Sequence, residues 1–193
     1  MARLLVLALM TLAIAACAPM PITYLKPSAP NAKLTGSACA GYSVPRDRIW
    51  LFGPEGVVIG LNPNTFSGLN FEMYLYVPPS VSVRFVSGTF LLTDEPTNIV
   101  HEYRAEYVSG GGHPKIGIGA PLDTRPNPKS IGYSIGHSLG IDPQYSMRTS
   151  FKNVESKQFK LRIPPLMVGA QTFEFPDVDF REVTETFIVP LNC

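Results

Sequence analysis

The sequence has few charged residues and almost no net charge. Charged side chains make up 16% of its 193 residues, with 16 basic against 15 acidic, whereas about a quarter is typical of a globular chain. No segment concentrates lysine and arginine. Because nucleic acids and anionic membrane surfaces are recognised through such clusters, we expect no nucleic-acid partner and no polybasic membrane patch.

Long apolar runs and helical periodicity are also scarce. The one extended apolar run covers residues 4–16, which is shorter than the roughly 20 residues that a bilayer-spanning helix needs. Pro19 and Pro21 follow the run and oppose continuation of a helix. No window shows an apolar stripe with the helical period of about 3.6 residues. The sequence therefore predicts neither a membrane-spanning helix nor a helical domain.

Cysteine and histidine are rare, with three residues of each. His101, His113 and His137 stand at no metal-ligand spacing from Cys39 or Cys193. Gly110-Gly111-Gly112 is followed directly by His113, whereas a phosphate-binding loop would require a lysine there and a helical pattern after it. We therefore predict no metal site and no bound cofactor.

The amino terminus carries a targeting pattern. Arg3 precedes the apolar run, as in a signal peptide, and Ile14-Ala15-Ala16-Cys17 at its end resembles the lipobox of bacterial lipoprotein precursors. The resemblance implies that residues 1–16 are a signal peptide and that Cys17 carries a diacylglyceryl thioether with palmitate-like chains. The alternative is an ordinary secretory peptide, cut after Ala13-Ile14-Ala15 or Ala16-Cys17-Ala18.

The same resemblance implies a location. Each buried methylene of an acyl chain contributes about 0.8 kcal/mol, so two or three chains anchor a protein essentially permanently. In enterobacterial lipoproteins an aspartate after the cysteine favours the inner membrane, and here the residue is Ala18. The expectation is a lipid anchor in the outer membrane, facing the periplasm, with the inner membrane or the cell surface left open. In this the chain is similar to small envelope lipoproteins of proteobacteria.

Cys39 and Cys193 remain once Cys17 is assigned to the lipid. In an oxidising envelope such a pair is a candidate disulfide. Closing so long a loop would contribute up to about 5 kcal/mol in the chain-entropy model. The alternative is two unpaired thiols near opposite ends of the chain.

Three segments are expected along the chain. Residues 1–16 form the signal peptide, residues 17–38 a lipidated and proline-rich tether, and residues 39–193 the folded domain. The tether carries four prolines among small residues and is expected to be extended. A short edge strand is predicted around Tyr24-Leu25-Lys26, limited by Pro27, so that the tether docks on the domain.

Beyond Cys39 the apolar pattern is that of strands. Residues 70–77 alternate, with Phe71, Met73 and Leu75 on one side, and residues 99–107 alternate over a length that predicts one continuous strand. Turn residues separate eight to ten such runs, which is typical of an all-β antiparallel sandwich, Ig-like in outline, with little helix. A barrel is the alternative. Residues 109–150 lack a sustained period and are expected to be a long irregular loop region.

Gly136-His137-Ser138-Leu139-Gly140 matches the nucleophile elbow of α/β-hydrolases. That chemistry needs an acid and then a histidine after the serine, and no histidine follows His137. Asp142-Pro143 also ends any helix beyond the motif. A different order, with His101 or His113 as the base, is the remaining route to a serine hydrolase. We interpret the motif as a glycine-rich turn and predict no catalytic residue.

Two further groups could bind a ligand. Carboxylates at Glu102, Glu106, Asp177 and Asp179 could act in pairs, although their alternate spacing favours a solvated sheet face. Aromatic residues could form a sugar-stacking platform, although their alternation favours packing in the core; they are Tyr42, Trp50, Tyr74, Tyr76, Tyr103, Tyr107 and Tyr133. The sequence therefore predicts a non-enzymatic, lipid-anchored protein that binds or scaffolds another envelope component, either a protein or a glycan. The alternatives are a glycan or small-molecule binding module that uses residues 109–150, and a hydrolase built around Ser138.

Overall fold

The computed structural model describes residues 19–35, 48–64, 69–110, 115–122, 145–152, 154 and 156–188. These residues form fifteen strands and one short 3-10 turn, Pro54–Gly56. The strands are β1 Pro19–Ser28, β2 Lys33–Thr35, β3 Arg48–Phe52, β4 Val58–Asn64, β5 Leu69–Tyr76, β6 Val83–Phe85, β7 Thr89–Asp94, β8 Val100–Arg104, β9 Tyr107–Gly110, β10 Ile116–Gly117, β11 Tyr145–Phe151, β12 Gln158–Arg162, β13 Leu166–Val168, β14 Gln171–Phe173 and β15 Val178–Ile188.

The strands form three antiparallel sheets. A five-stranded sheet has the order β1-β15-β12-β7-β8, and a seven-stranded sheet has the order β10-β9-β11-β5-β4-β3-β2. A small third sheet has the order β14-β13-β6. Each sheet has two edge strands among the described residues. The predicted all-β antiparallel sandwich is confirmed.

Alternation of apolar residues explains how the two large sheets face each other. Phe71, Met73 and Leu75 on β5 are each no more than 1% exposed, as the period of two predicted. Phe71 meets two phenylalanines of the five-stranded sheet, with ring centroids 5.9 Å from Phe159 and 5.1 Å from Phe180. Phe159 and Phe180 stack on each other at 5.2 Å. This aromatic cluster lies between the sheets and forms the centre of the core.

The prediction of one continuous strand over residues 99–107 is wrong. The chain leaves the five-stranded sheet after β8 and enters the seven-stranded sheet at β9. At the crossing the Ala105 amide donates to the Gly88 carbonyl at 2.8 Å. A Cβ on Gly88 would lie 2.1 Å from the Ala105 oxygen, so only glycine allows this approach. Burial changes parity at the crossing, since Tyr107 is 39% exposed whereas Val108 is 1% exposed.

The first strand is longer than the sequence suggested. The edge strand expected at residues 24–26 is part of β1, which spans ten residues and pairs in unbroken register with β15, from Pro19 opposite Ile188 to Ser28 opposite Asp179. Strand β12 pairs with β15 only as far as Arg181. Residues 19–24 and 183–188 therefore form a two-stranded extension of the sheet, here called the ribbon.

The prolines of β1 fit this edge position because of their spacing. Pro19, Pro21 and Pro27 lie at alternate positions, so they share one backbone orientation, and none of them can donate a hydrogen bond to a partner. Glu182 on β15 donates its amide to Lys157 at 2.7 Å, on the side away from β1. The odd-numbered residues of β15 and the even-numbered residues of β1 therefore carry the hydrogen bonds between these strands. The prolines thus point their missing donors at the open edge, which limits pairing with another chain.

Candidate functional site

The site residues predicted from the sequence lie mostly outside the described residues. Cys17, Cys39, Cys193 and Ser138 are among these, together with most of the region 109–150. The lipid anchor, the disulfide and the hydrolase motif therefore stay predictions. The segments that lead to the cysteines are described, since β1 begins two residues after Cys17 and β15 ends five residues before Cys193.

The two ends of the five-stranded sheet differ in character. One end, here called the ribbon end, is marked by Pro19 opposite Ile188. Strand β7 runs toward this end, because Asp94 pairs with Phe159 and Phe159 pairs with Phe180. The opposite end, here called the cleft end, carries the turn after β1 and the start of β15.

Polar side chains cross-link the ribbon. Glu185 accepts hydrogen bonds from Lys26 Nζ at 2.7 Å and from the Tyr24 hydroxyl at 2.8 Å. On the other face the hydroxyls of Thr23 and Thr184 lie 2.8 Å apart. At the base of the ribbon Lys157 Nζ pairs with Glu182 at 2.7 Å. A pair of strands alone is only marginally stable in water, so these contacts help to keep the two strands of the ribbon paired.

The contacts of Glu185 make the ribbon sensitive to pH. The hydrogen bonds from Lys26 and then from Tyr24 lower the pKa of the Glu185 carboxyl. In the turn after β7 the hydrogen bonds from Ser156 and Thr97 lower the pKa of Asp94 in the same way. Both carboxylates therefore hold their hydrogen bonds better when charged.

The cleft end contains an open groove of about 660 Å³. Pro30 and Asn31 from the turn after β1, Phe52 from β3 and Phe173 from β14 contribute to its walls. At its rim Arg162 holds Asp177 through two hydrogen bonds, Nε to Oδ1 at 2.9 Å and Nη2 to Oδ2 at 3.0 Å. Phe52 is 48% exposed. The groove therefore offers apolar surface beside a fixed ion pair.

A second depression of about 510 Å³ lies where the chain crosses between the two large sheets. Because β9 pairs only with Tyr145 and Ser146 of β11, the rest of that edge of β11 diverges from it. Tyr103 bridges the gap by donating its hydroxyl to the Arg148 carbonyl at 3.2 Å. The walls carry side chains of both charges with two tyrosines and two serines: Glu72, Tyr103, Arg104, Glu106, Tyr107, Ser109, Ser146 and Arg148. This depression, here called the polar wedge, is the described part of the chain that best matches the predicted use of residues 109–150.

The candidate aromatic residues that the structure describes do not form a continuous platform, and Tyr42 and Tyr133 lie outside the described residues. Trp50 and Tyr74 are 1% and 4% exposed, and Trp50 lies against Gly60, where a Cβ would meet its ring at 2.7 Å. Burial, followed by the neighbouring Glu72, raises the pKa of Tyr74. Tyr103 packs its ring 6.0 Å from that of Phe151. Among the described tyrosines only Tyr107 is exposed, at 39%. Its ring lies 3.9 Å from Lys115 Nζ.

Two of the four candidate carboxylates face basic side chains: Asp177 pairs with Arg162, and Asp179 lies 3.8 Å from Lys160 Nζ. Glu102 and Glu106 are exposed. Of the four, Glu102 and Asp179 lie on strands, whereas Glu106 falls between β8 and β9 and Asp177 precedes β15. The interpretation as a solvated sheet face therefore fits Glu102 and Asp179 only.

His101, a candidate base for Ser138, is half-buried on β8.

Sequence reasoning missed the ribbon as a site because its two strands are more than 150 residues apart in the chain. The alternate spacing of Pro19, Pro21 and Pro27 was the available signal, since prolines of one parity fit an edge strand. Nothing in the residues 178–188 alone identifies their partner.

Comparisons and searches add no further assignment. No protein-family model, no curated protein and no solved structure matches this chain. Within the described residues, no cluster of three or more histidine, cysteine, aspartate or glutamate side chains could hold a metal ion. The described part of the chain also contains no helix of the length and hydropathy needed to cross a membrane.

Proposed function

We propose that this chain is a lipid-anchored protein of the bacterial cell envelope, acylated at Cys17, that binds or scaffolds another envelope component without catalysis. The observation that carries the proposal is Ile14-Ala15-Ala16-Cys17, which resembles a lipobox and directly follows the apolar run. Strand β1 begins at Pro19, so cleavage before Cys17 would leave this strand intact.

The outer membrane, with the domain in the periplasm, is the proposed location. Ala18 in place of an aspartate supports this choice over the inner membrane. The near-neutral composition supports attachment through acyl chains rather than through charge, since surface attraction to anionic lipids depends on basic residues.

A disulfide between Cys39 and Cys193 is part of the proposal. Strand β3 runs from Arg48 toward the groove, where Phe52 lies, so Thr35, which pairs with Arg48, is at the far end from the groove. Ile188 is at the ribbon end. The described residues nearest to the two cysteines, Thr35 and Ile188, thus both lie away from the groove. Non-reducing mass spectrometry should yield one peptide linking the two cysteines, and free thiols on both would exclude the bond.

Metabolic labelling tests the anchor. Labelled palmitate should appear in the wild-type protein and vanish in Cys17→Ser, with the protein moving from the membrane fraction to the soluble envelope fraction. Cys39→Ser is the matched control and should keep the label. Persistence of the label in Cys17→Ser would remove the proposal.

A second candidate function is the binding of a glycan or another small polar molecule in the polar wedge. Side chains of both charges beside the exposed ring of Tyr107 favour it, because sugars are bound by aromatic faces together with groups that accept and donate hydrogen bonds. Ser109, Ser146 and Arg148 come from the region that the sequence suggested for this role.

Titration calorimetry with soluble envelope oligosaccharides tests this second function. Binding should weaken in Tyr107→Ala and Arg148→Ala and stay unchanged in Phe52→Ala, which alters the groove and not the wedge. Absence of binding to the wild-type protein, or an equal loss in Phe52→Ala, would exclude the wedge as the site.

A further inference from the structure

We infer that the ribbon is a short, structured stalk, which holds the sandwich in one orientation with its ribbon end toward the membrane and its groove away from it. The inference rests on the proposed acylation of Cys17. It replaces a flexible spacer of some twenty residues with a paired strand.

The first step is the distance between anchor and fold. Only Ala18 separates Cys17 from β1. At about 3.5 Å per residue the path from Cys17 to Pro19 spans no more than about 7 Å. An acyl group on Cys17 would therefore bring the first rung of the ribbon close to the lipid headgroups.

The second step is the order of the ribbon itself. Its rungs continue the register of the five-stranded sheet without a bulge. The pair Thr23 and Thr184 cross-links one face, and Glu185 with Lys26 and Tyr24 cross-links the other. Tyr24 is 6% exposed, so the ribbon is also packed at its base. Because side chains cross-link the ribbon on both faces, the ribbon continues in the direction of the five-stranded sheet.

The third step is the position of each end of the five-stranded sheet relative to the membrane. The turn after β7 lies at the base of the ribbon, because Asp94 is level with Pro27 through Phe159 and Phe180. The groove beside Phe52 and the Arg162–Asp177 pair lies at the other end of β1. With a rise of about 3.4 Å per residue, the ten residues of β1 separate the two ends by about 30 Å. The groove would then face the aqueous compartment, where a soluble or opposing partner can reach it.

The prolines on the open edge of β1 also suit a crowded membrane surface. Lipid anchoring concentrates copies of the chain in two dimensions, where open strand edges tend to pair. Pro19, Pro21 and Pro27 remove three donors from the open edge of β1. The stalk can therefore stand beside other copies without forming a shared sheet.

Energy transfer to the membrane surface tests the inference. A clickable amino acid is placed at Thr186 in the ribbon or at Asn31 beside the groove in the full acylated chain, labelled, and reconstituted with an acceptor on the lipid headgroups. Transfer should be several-fold more efficient from Thr186 than from Asn31. Equal transfer from both positions, or stronger transfer from Asn31, would overturn the inference.

A spacer variant supplies the matched control. A flexible Gly/Ser segment of about fifteen residues inserted between Ala18 and Pro19 should reduce the difference between the two positions. Vesicle flotation before each measurement separates the two proposals. Failure of the wild-type protein to float would remove the anchor, whereas flotation with equal transfer would remove only the stalk.

Discussion

The sandwich interior and the ribbon are built from the same kind of strand but are held in different ways. In the interior, Phe71, Phe159 and Phe180 bring apolar rings together between two sheets. In the ribbon, Glu185 and Thr184 hold β1 through polar contacts at the surface. Apolar burial stabilises the whole domain, whereas exposed polar pairs contribute little and depend on pH and salt. The comparison predicts that the sandwich interior opens only when the whole domain unfolds, whereas the ribbon opens locally.

The largest expected effect is the loss of a core ring. Phe159→Ala should lower the free energy of unfolding by about 3–5 kcal/mol, because a fully buried phenylalanine is replaced by a cavity. Denaturant unfolding of the intact chain measures this. Ile99→Ala, in the exposed turn after β7, is the control and should change stability by less than about 0.5 kcal/mol. Similar losses in the two variants would contradict the assignment of Phe159 to the centre of the core.

The next effect concerns the crossing between the sheets. Gly88→Ala should cost about 1–3 kcal/mol, because its Cβ would collide with the Ala105 carbonyl. Gly117→Ala is the matched control, since no atom lies within 4 Å of the added Cβ. Thermal unfolding of both variants should separate them clearly. If Gly88→Ala is as stable as Gly117→Ala, the chain does not cross between the sheets at Ala105.

A smaller and local effect is expected in the ribbon. Glu185→Ala removes the acceptor shared by Lys26 and Tyr24, so amide protection should fall in residues 19–24 and 183–188 while global unfolding stays nearly unchanged. Hydrogen exchange followed by mass spectrometry measures both. The control is Glu102→Ala, an exposed carboxylate on the opposite edge strand β8. A global loss of stability in Glu185→Ala would show that the ribbon is part of the cooperative core.

The smallest effect is a response to acid. The pKa of Glu185 is lowered in the folded chain, so its contacts stabilise the ribbon above the ordinary pKa of a glutamate, about 4.3, and are lost as the pH falls through the lowered value. Exchange in the ribbon should therefore accelerate in this acid range before the core opens. Glu185→Gln should show a weaker dependence. Ribbon exchange that speeds up on raising the pH beyond its intrinsic dependence would contradict the assignment.

The sequence predicted the parts of the fold that depend on local pattern. The alternation around Phe71, Met73 and Leu75 predicted β5 because each strand buries every second residue on its own. The break between β8 and β9 was not predictable in this way, because it depends on the contact of Ala105 with Gly88. The long pairing of β1 with β15 depends on a partner at the other end of the chain. Trp50 and Tyr74 lie at positions that alternation assigns to the outer face of their sheet, and yet both are buried.

The candidate sites divide in the same way, into one that a local sequence pattern indicates and others that depend on distant contacts. Cys17 was read from a local motif, and its acylation stays a prediction. The ribbon, the groove and the polar wedge depend on strands that meet only in three dimensions. Of these, the ribbon alone had a trace in the sequence, in the shared parity of Pro19, Pro21 and Pro27.

Amide exchange along β1 in the intact protein tests the central claim, that this segment is a paired strand and not a spacer. Because the even-numbered residues donate toward β15, the amides of Ile22, Tyr24 and Lys26 should exchange slowly. Those of Thr23 and Leu25, which point to the open edge, should exchange faster. Exchange of all five amides at the rate of an unstructured chain would contradict the claim and restore a flexible tether between Cys17 and the sandwich.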